Sequence, residues 1–570
     1  MQPRTAGETL SPLGQSLGES LAVTRHMLLV AAPLGALVGV AIAGYDWIVN
    51  ELLWRRVTER SPTTQMVAPF FGLLLAGLLL RLFRVTSSSM ADEVVKAYHE
   101  PGAGMPTRTA AGKFVSSIAT MGLGGSAGME GASKWVGATL GSLVQAGLNR
   151  LGLRSLHWNV KTTLIAGGSA GIAAIFRAPL SGAVMGVESP YKHDLAHEAL
   201  LPALVASATS FWAFSLLRPA RPYFPVPFHY VLESRDLLVA VPLGIVAGLG
   251  SHAFLWTLGR ARRWFEGLAV PLPVRMALGG AMVAAVAFVS ARLLGKPVTL
   301  QAGLPIANEL LAGRYALIAA LAVFVLKLAA TSITFGCGGV GGLFVPTATM
   351  GAALGAMFDA VVAPSHPGVF TLLGIAAFSG ASYNSLLFSA VFVAEATGNV
   401  FLVVPALVAS SVAFAISAGV SNSRSQRKRR PGWREQLRAI PIAEVMTTSI
   451  VTAHPDQTLE SFSRSVLLEH HFKALPVVDA EGVLLGMIGL QHLRSVPTST
   501  WGEVRVGDVL DPAARTICSQ DSVSDAESAL RSGPYDYVPV VDPDTSALVG
   551  IVSDSDVYRA VGEHVRQPAA

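Results

Sequence analysis

Between residues 27 and 419, apolar residues come in long runs separated by short polar or Gly/Pro breaks. The main runs are 27–48, 66–80, 164–176, 200–217, 237–255, 276–294, 315–335 and 400–419. A helix needs about 20 mostly apolar residues to cross a bilayer, and several runs reach that length. Others are shorter or cut by Gly and Pro, which predicts helices that break or begin inside the membrane. From about residue 441 the pattern changes to short alternating stretches, the signature of half-buried strands in a soluble fold. The chain is therefore expected to be a polytopic α-helical membrane protein followed by a soluble α/β region.

Composition strengthens this reading. Of 570 residues, 51% are hydrophobic and 14% charged, whereas a soluble domain carries about 25% charged residues. The first apolar run is long and no small-residue cleavage site follows it, so it reads as a span and not as a cleaved signal. The net charge of +5 has an address. Arg424, Arg427, Lys428, Arg429, Arg430, Arg434 and Arg438 cluster just after the last apolar run. Positive charge beside a span marks the cytoplasmic side, and such a linker also offers a contact for anionic lipid. The expected organisation is a cytosolic segment 1–24, a membrane domain 25–422, a basic linker 423–440, and two soluble repeats, 441–500 and 501–563. Cys337 and Cys518 fall in different regions, and no zinc-binding spacing exists.

A glycine-rich stretch of the membrane domain occurs twice. GLGGSAGMEGASKWVGATLG starts at Gly122 and GCGGVGGLFVPTATMGAALG at Gly336, an offset of 214 (336 − 122). Gly122, Gly124, Gly125, Gly128, Gly137, Ala138, Leu140 and Gly141 match residues of the second copy, as do Lys113 with Lys327 and Thr120 with Thr334. The tetrad GIAA at Gly171 recurs at Gly374, and each copy ends in an apolar run leading to an acid, Glu188 or Glu395. Two related halves are expected, inverted if an odd number of spans separates them; many transporters are built this way.

Glycines at these places let a helix start inside the bilayer and bring bare amides to a ligand. The first four amides of a helix are unpaired and carry the positive end of its dipole. Two converging N-termini make an anion site without a full positive charge. Close helix packing accounts for many of the glycines equally well, but not for Glu130. A carboxylate at membrane depth costs about 3 kcal/mol or more and marks a functional site by default. Beside unpaired amides it would mimic a permeant anion and plug its site; protonation would release it.

These residues resemble the CLC family of chloride channels and proton/chloride exchangers. Gly128, Glu130 and Gly131 fit the signature G-(K/R)-E-G-P, with Met129 in the basic place and Ala132 in that of the proline. Gly341 to Pro346 fits G-G-x-F-x-P, FRAPLSGAVMGVE from Phe176 fits the F-N-A-P-L-A-G helix, and EATGN from Glu395 resembles E-x-T-G-N. The resemblance implies that Glu130 is the gate and that Gly128, Gly131, Leu343 and Phe344 line the central anion site. It implies that Lys113 makes the pore positive. The G-S-G-I-P-E loop is met by Ser87 to Asp92, which keeps Ser88 as an anion ligand but loses both glycines and the proline. The family's pore tyrosine has no clear match; Ser423 lies nearest in an ungapped reading. The inner glutamate that exchangers use for protons falls on Ser189, with Glu188 one residue away. That loss favours passive chloride flow; proton-coupled exchange of chloride, another halide or nitrate is the alternative.

The tail adds to the resemblance. Its two halves carry PVVD tetrads at Pro476 and Pro539, 63 residues apart (539 − 476), and resemble a tandem pair of CBS domains, a module that often binds adenine nucleotides and regulates its partner domain. Ser553 and Asp556 form the S-x-x-D that holds a ribose in that family, with Thr516 beside it; the first half has Gly489 to His492 and no acid there. Asp556 reads equally as a first-turn acid beside an N-cap serine. The family also implies a homodimer with a pore in each subunit, voltage gating, and a multi-pass place in the cell membrane with N-terminus and CBS pair cytoplasmic.

Rival classes fare worse. A CBS-regulated cation transporter needs rings of carboxylates or carbonyls, and the acids in these spans are few. An enzyme is not expected. The compact set His193, Asp194, His197 and Glu198 has H-x3-H spacing but sits in a polar connection, and reads as a solvated helix start, as does His470–His471. No cofactor is required for transport beyond the permeant anion and an optional nucleotide. Nucleic-acid binding has no support beyond the basic linker.

Overall fold

The computed structural model describes residues 12–85, 87–100, 104–152, 160–219, 222–226, 228–428, 437–438, 440–464 and 473–560, and for residues 12–28 and Arg108 the backbone only. Arg429, Arg430, Arg434 and the pair His470–His471 lie outside the described residues. The chain divides into one unit ending at Arg429 and a second beginning at Arg430.

The first unit is helical. After α1 (Pro12–Asp46), which continues through a π-helical stretch Trp47–Trp54 and a last α-helical turn Arg55–Thr58, come α2 (Pro62–Leu82), α3 (Ala91–His99), α4 (Ala110–Gly122), α5 (Glu130–Arg150), α6 (Val160–Phe176), α7 (Pro179–Glu188) and α8 (Leu200–Leu217). Then follow α9 (Ser234–Glu266), α10 (Leu272–Leu294), α11 (Leu304–Leu311), α12 (Leu317–Cys337), α13 (Phe344–Val362), α14 (Val369–Tyr383), α15 (Leu386–Thr397) and α16 (Val403–Ser417). Eight helices among the described residues are long and apolar enough to cross a membrane. Their outward faces expose Leu238, Trp256, Leu293, Ile318 and Val361. Such a surface is costly in water and suited to lipid.

The second half repeats the first, with α10–α16 following the order of α2–α8. Contacts between the halves are exchanged reciprocally, as a two-fold relation requires. Gly128 and Gly342 exchange both backbone hydrogen bonds, each 2.7 Å. The Ser126 amide donates to Thr334 Oγ1 (3.2 Å) while the Val340 amide donates to Thr120 Oγ1 (3.4 Å). Leu180 and Ser181 donate their amides to Glu395 (3.0 and 2.7 Å). Leu387 and Phe388 donate theirs to Glu188 (3.1 and 3.0 Å). The two acids that end the sequence repeats therefore cap each other's partner helices. The halves are inverted copies locked face to face.

The centre of each half is a helix with no lipid-facing side. Thr162 to Phe176 of α6 and Val369 to Tyr383 of α14 are buried throughout. Helix α6 meets α5 at Gly137–Gly167, and α14 meets α13 at Gly351–Gly374. A methyl group on Gly137 would stand 2.8 Å from the Gly167 carbonyl carbon, and one on Gly351 would stand 2.9 Å from that of Gly374. These glycines exist because backbone approaches backbone. Strands β1 (Tyr191–Lys192) and β2 (Arg427–Lys428) pair in parallel and fasten the end of this unit to the α7–α8 connection.

The second unit contains the expected pair of α/β halves. In one, β3 (Ala474–Val478) pairs antiparallel with β4 (Leu484–Gly489). In the other, β5 (Ile517–Cys518), β6 (Tyr537–Val541) and β7 (Leu548–Ser553) form a sheet beside α17 (Val523–Ser532) and α18 (Asp554–Ala560). Each half has its own core, with Leu459, Phe462, Val477 and Ile488 in the first and Val523, Val538, Val540 and Val552 in the second. The halves meet at equivalent positions, Lys473 pairing with Asp536 63 residues later (536 − 473) at 2.7 Å.

Backbone contact at α5–α6 predicts that Gly137→Val abolishes monodisperse folded protein in detergent chromatography. Gly147→Ala, on the same helix with open space around it, should instead raise thermal stability by about 0.5–1 kcal/mol.

Candidate anion site at the meeting of two helix starts

Helices α5 and α13 both begin at the glycine bridge between the halves, so their unpaired first-turn amides share one small volume. The bridge needs bare backbone. A Cβ on Gly131 would stand 2.8 Å from the Gly342 Cα, and one on Gly128 would stand 2.8 Å from the Glu130 carboxyl carbon. Glu130, the first residue of α5, folds its side chain back into that volume. Its Oε1 accepts the Phe344 amide at 2.5 Å. Its Oε2 has no hydrogen-bond partner among the described residues, and the side chain is buried. A carboxylate thus sits where the positive ends of two helices point.

Two cavities approach this point and share no lining residue. The larger, about 370 Å³, is walled by Ser87 to Asp92, Lys134, Ser189, Gly341 to Leu343, Tyr383 and Asn422 to Arg424. The smaller, about 130 Å³, is walled by Asp46, Met129, Glu130, Phe176, Arg177 and Val345. Between them Phe344 is fully buried, its ring 5.1 Å from that of Phe176 and 5.7 Å from that of Tyr383. The Glu130 carboxylate and this cluster of aromatic rings stand between the two cavities. The larger cavity is mainly cationic, with Lys134, Arg262, Arg275 and Arg424 against Asp92 and Glu266.

The structure brings together Gly128, Glu130, Gly131, Leu343 and Phe344. Ser88 lies on the wall of the larger cavity with Ser87 and Ser89. Lys113 lines neither cavity. Its Nζ meets Glu93 Oε2 at 2.6 Å and the Ser89 carbonyl at 3.0 Å, so its charge is locally matched and it ties the serine loop to α4. Glu188 also lies off both cavities, its carboxylate occupied in capping α15. Ser189 faces the larger cavity, where its Oγ accepts from Lys134 Nζ at 2.7 Å. Ser423 donates to Asp92 Oδ1 at 2.7 Å and Ser425 adds two bonds of 2.9 Å to the same carboxylate. Asp92, at the place of the glutamate that ends the family's G-S-G-I-P-E loop, is thus a clasp for the segment leaving the membrane.

Sequence reasoning missed Lys134, Arg262, Arg275 and Tyr383 as cavity residues, and met Asp92 only as the end of the serine loop. Tyr383 stands 207 residues after Phe176 (383 − 176), the same offset as Glu188 to Glu395 (395 − 188). Carrying the repeat through at that offset would have found it as the aromatic on the other side of Phe344.

In the second unit Asp556 is buried. Its Oδ2 accepts the Ser553 amide and hydroxyl at 2.9 and 2.7 Å, and its Oδ1 pairs with Arg559. Thr516 is exposed. The carboxylate expected to hold a ribose is thus already engaged as an N-terminal helix acid. The set His193, Asp194, His197 and Glu198 is not gathered. Asp194 meets His197 at 3.2 Å, while Glu198 accepts from Tyr98. No group of three or more metal-ligating side chains occurs among the described residues.

A family model described as voltage gated chloride channel matches residues 71–418, and the CBS domain model matches 442–498 and 506–563. The chain belongs to the CLC family. The CLC relative ClcB, a voltage-gated ClC-type chloride channel of Escherichia coli K12, is 25% identical over 413 residues, covering 69% of this chain and 96% of its own. Among solved CLC structures, a slow cyanobacterial Cl⁻/H⁺ antiporter superposes with a TM-score of 0.59 at 21% identity, covering 69% of this chain and 94% of its own. A CLC-type fluoride/proton antiporter gives 0.60 at 21%, covering 74% of this chain and 100% of its own. The inverted helical halves, the terminal CBS pair and the family agree with the sequence reading, and anion transport is the activity of the CLC family.

If Glu188 only caps α15, Glu188→Ala should cost about 1–3 kcal/mol of thermal stability by stranding two buried amides, while Glu188→Gln, which still accepts a hydrogen bond, should cost less. Proton movement lost in Glu188→Gln at unchanged stability would place Glu188 on a proton route instead.

Proposed function

We propose that the protein conducts small anions, chloride foremost, passively through this site, with Glu130 as its gate. The observation that supports this reading is the Glu130 carboxylate accepting the Phe344 amide between the two helix starts. It occupies the place of an anion, and an anion must displace it to pass. Protonation removes its charge and weakens its hold on that amide, so the gate opens as pH falls. No other charged side chain contacts the carboxylate among the described residues; Asp46 and Arg177 share the wall of the smaller cavity.

Passive flow is favoured over coupled exchange because Ser189, at the place of the exchangers' inner acid, accepts from a lysine. Proton-coupled exchange is the second reading, supported by the antiporter function of both structural neighbours. Gly128, Gly131, Leu343 and Phe344 would form the central anion site and Ser88 an inner one. The basic linker supports a cytoplasmic larger cavity, N-terminus and CBS pair, with the smaller cavity facing outward in a multi-pass cell-membrane protein. We take 25–422 as the membrane domain and 441–500 and 501–563 as CBS domains. Homodimerism with a pore in each subunit and voltage gating rest on the family. Adenine nucleotide binding would require Asp556 to exchange Arg559 for a ribose, with Ser553 and Thr516 alongside.

In proteoliposomes, chloride flux should rise as pH falls and follow the chloride gradient without proton movement. Glu130→Gln should flow at all pH values with the pH dependence gone, and ATP should alter the wild-type rate. Chloride driven uphill by a pH gradient at fixed stoichiometry would replace the passive reading with the exchanger, and an unchanged pH response in Glu130→Gln would remove Glu130 from the gate.

A further inference from the structure

Lys134 is a buried cation one helical turn past Glu130. It is 3% exposed and lies on the wall of the larger cavity. An ammonium has three donors, and among the described residues this one makes a single bond, to Ser189 Oγ at 2.7 Å. The Ser189 hydroxyl donates onward to the Gly186 carbonyl at 3.1 Å, which turns its lone pairs toward the lysine. Among the described residues no carboxylate lies within 4 Å of Lys134. Lys113, equally buried, has Glu93 at 2.6 Å. Asp92, on the same cavity wall and itself held by Ser423 and Ser425, attracts Lys134 only from beyond salt-bridge distance. The charge of Lys134 is therefore incompletely matched, and a buried cation without a close counter-charge is costly. An anion in the cavity would supply the match.

We propose that Lys134, steadied by Ser189, is a charged anion-binding position in the larger cavity, where a small monovalent inorganic anion docks before reaching the site held by Glu130. This deepens the transport reading and rests on it for its role in flux, though not for binding itself. A fixed cation at this place also disfavours a neighbouring proton carrier, because like charges about 4 Å apart repel. Its cost to throughput is limited because the ammonium lies on the wall of the larger cavity and not at the narrow point at Phe344.

The test uses the full-length protein in liposomes, with chloride efflux measured against chloride concentration. Lys134→Met and Lys134→Gln should each raise the half-saturating concentration about tenfold, the loss expected of one charge-assisted hydrogen bond. The glutamine keeps a donor toward Ser189, so wild-type saturation in Lys134→Gln would overturn the proposal and leave Lys134 a packing residue. Bromide-soaked crystals of the wild type supply a readout independent of flux and of variant folding. Anomalous density at hydrogen-bond distance from Lys134 Nζ is expected, and its absence with bromide present elsewhere in the cavity would overturn the assignment. A wild type that moves no chloride but binds bromide at Lys134 would refute the transport reading while sustaining the site.

Discussion

Everything in the membrane unit is arranged around one short hydrogen bond, from the Phe344 amide to the Glu130 carboxylate. Two helices must start at the same point from opposite halves, which requires the Gly128–Gly342 bridge. The bridge requires glycine, because a side chain on either residue would fall on the carboxylate. The same glycine economy holds α6 against α5 and α14 against α13, so that the two buried helices can support the helix starts from behind. The reciprocal caps at Glu188 and Glu395 then fix the halves against each other. The gate proposed for Glu130 needs a frame that does not yield, and the exchanged contacts hold that frame from both sides.

The electrostatics follow from the same economy. At the narrow point the positive field comes from helix ends and amides, which can release an anion quickly. Full charges are kept back in the larger cavity, on Lys134, Arg262, Arg275 and Arg424, where, on the proposed reading, they would concentrate anions without holding them at the constriction. Lys113 contributes differently from what the family resemblance implied. Glu93 matches its charge, and the pair secures the serine loop that walls the cavity. Asp92 does similar work for the segment carrying Ser423 and Ser425, which continues into the linker before the CBS pair.

Much of this was legible in the sequence. Hydrophobic runs marked the spans, the offset of 214 exposed the duplicated helix starts, and a lone acid among glycines singled out Glu130. Contacts between distant segments were less accessible. The acids Glu188 and Glu395 were visible as repeat ends, but their role as reciprocal caps depends on a fold in which residues some 200 apart touch. Tyr383 was hidden because the repeat changes offset from 214 to 207 after α5 and α13, whereas the GIAA tetrads at Gly171 and Gly374 suggest 203 (374 − 171). The packing corrects that match, since Gly374 meets Gly351 as Gly167 meets Gly137. Lys134 was overlooked because a cation four residues into a helix ordinarily reads as an exposed face; only burial and the lack of a nearby carboxylate make it distinctive. Asp556 was seen to have two roles, and the structure shows it engaged in the capping one.

On the proposed reading the Glu130 carboxylate occupies an anion's own place. Anomalous diffraction from bromide-soaked crystals of the wild type and of Glu130→Gln tests it most directly. Bromide is expected at the Phe344 amide in the variant, with the glutamine side chain swung away, and no bromide there in the wild type at neutral pH. Bromide beside the undisturbed wild-type carboxylate, or an empty site in a variant that conducts, would contradict it.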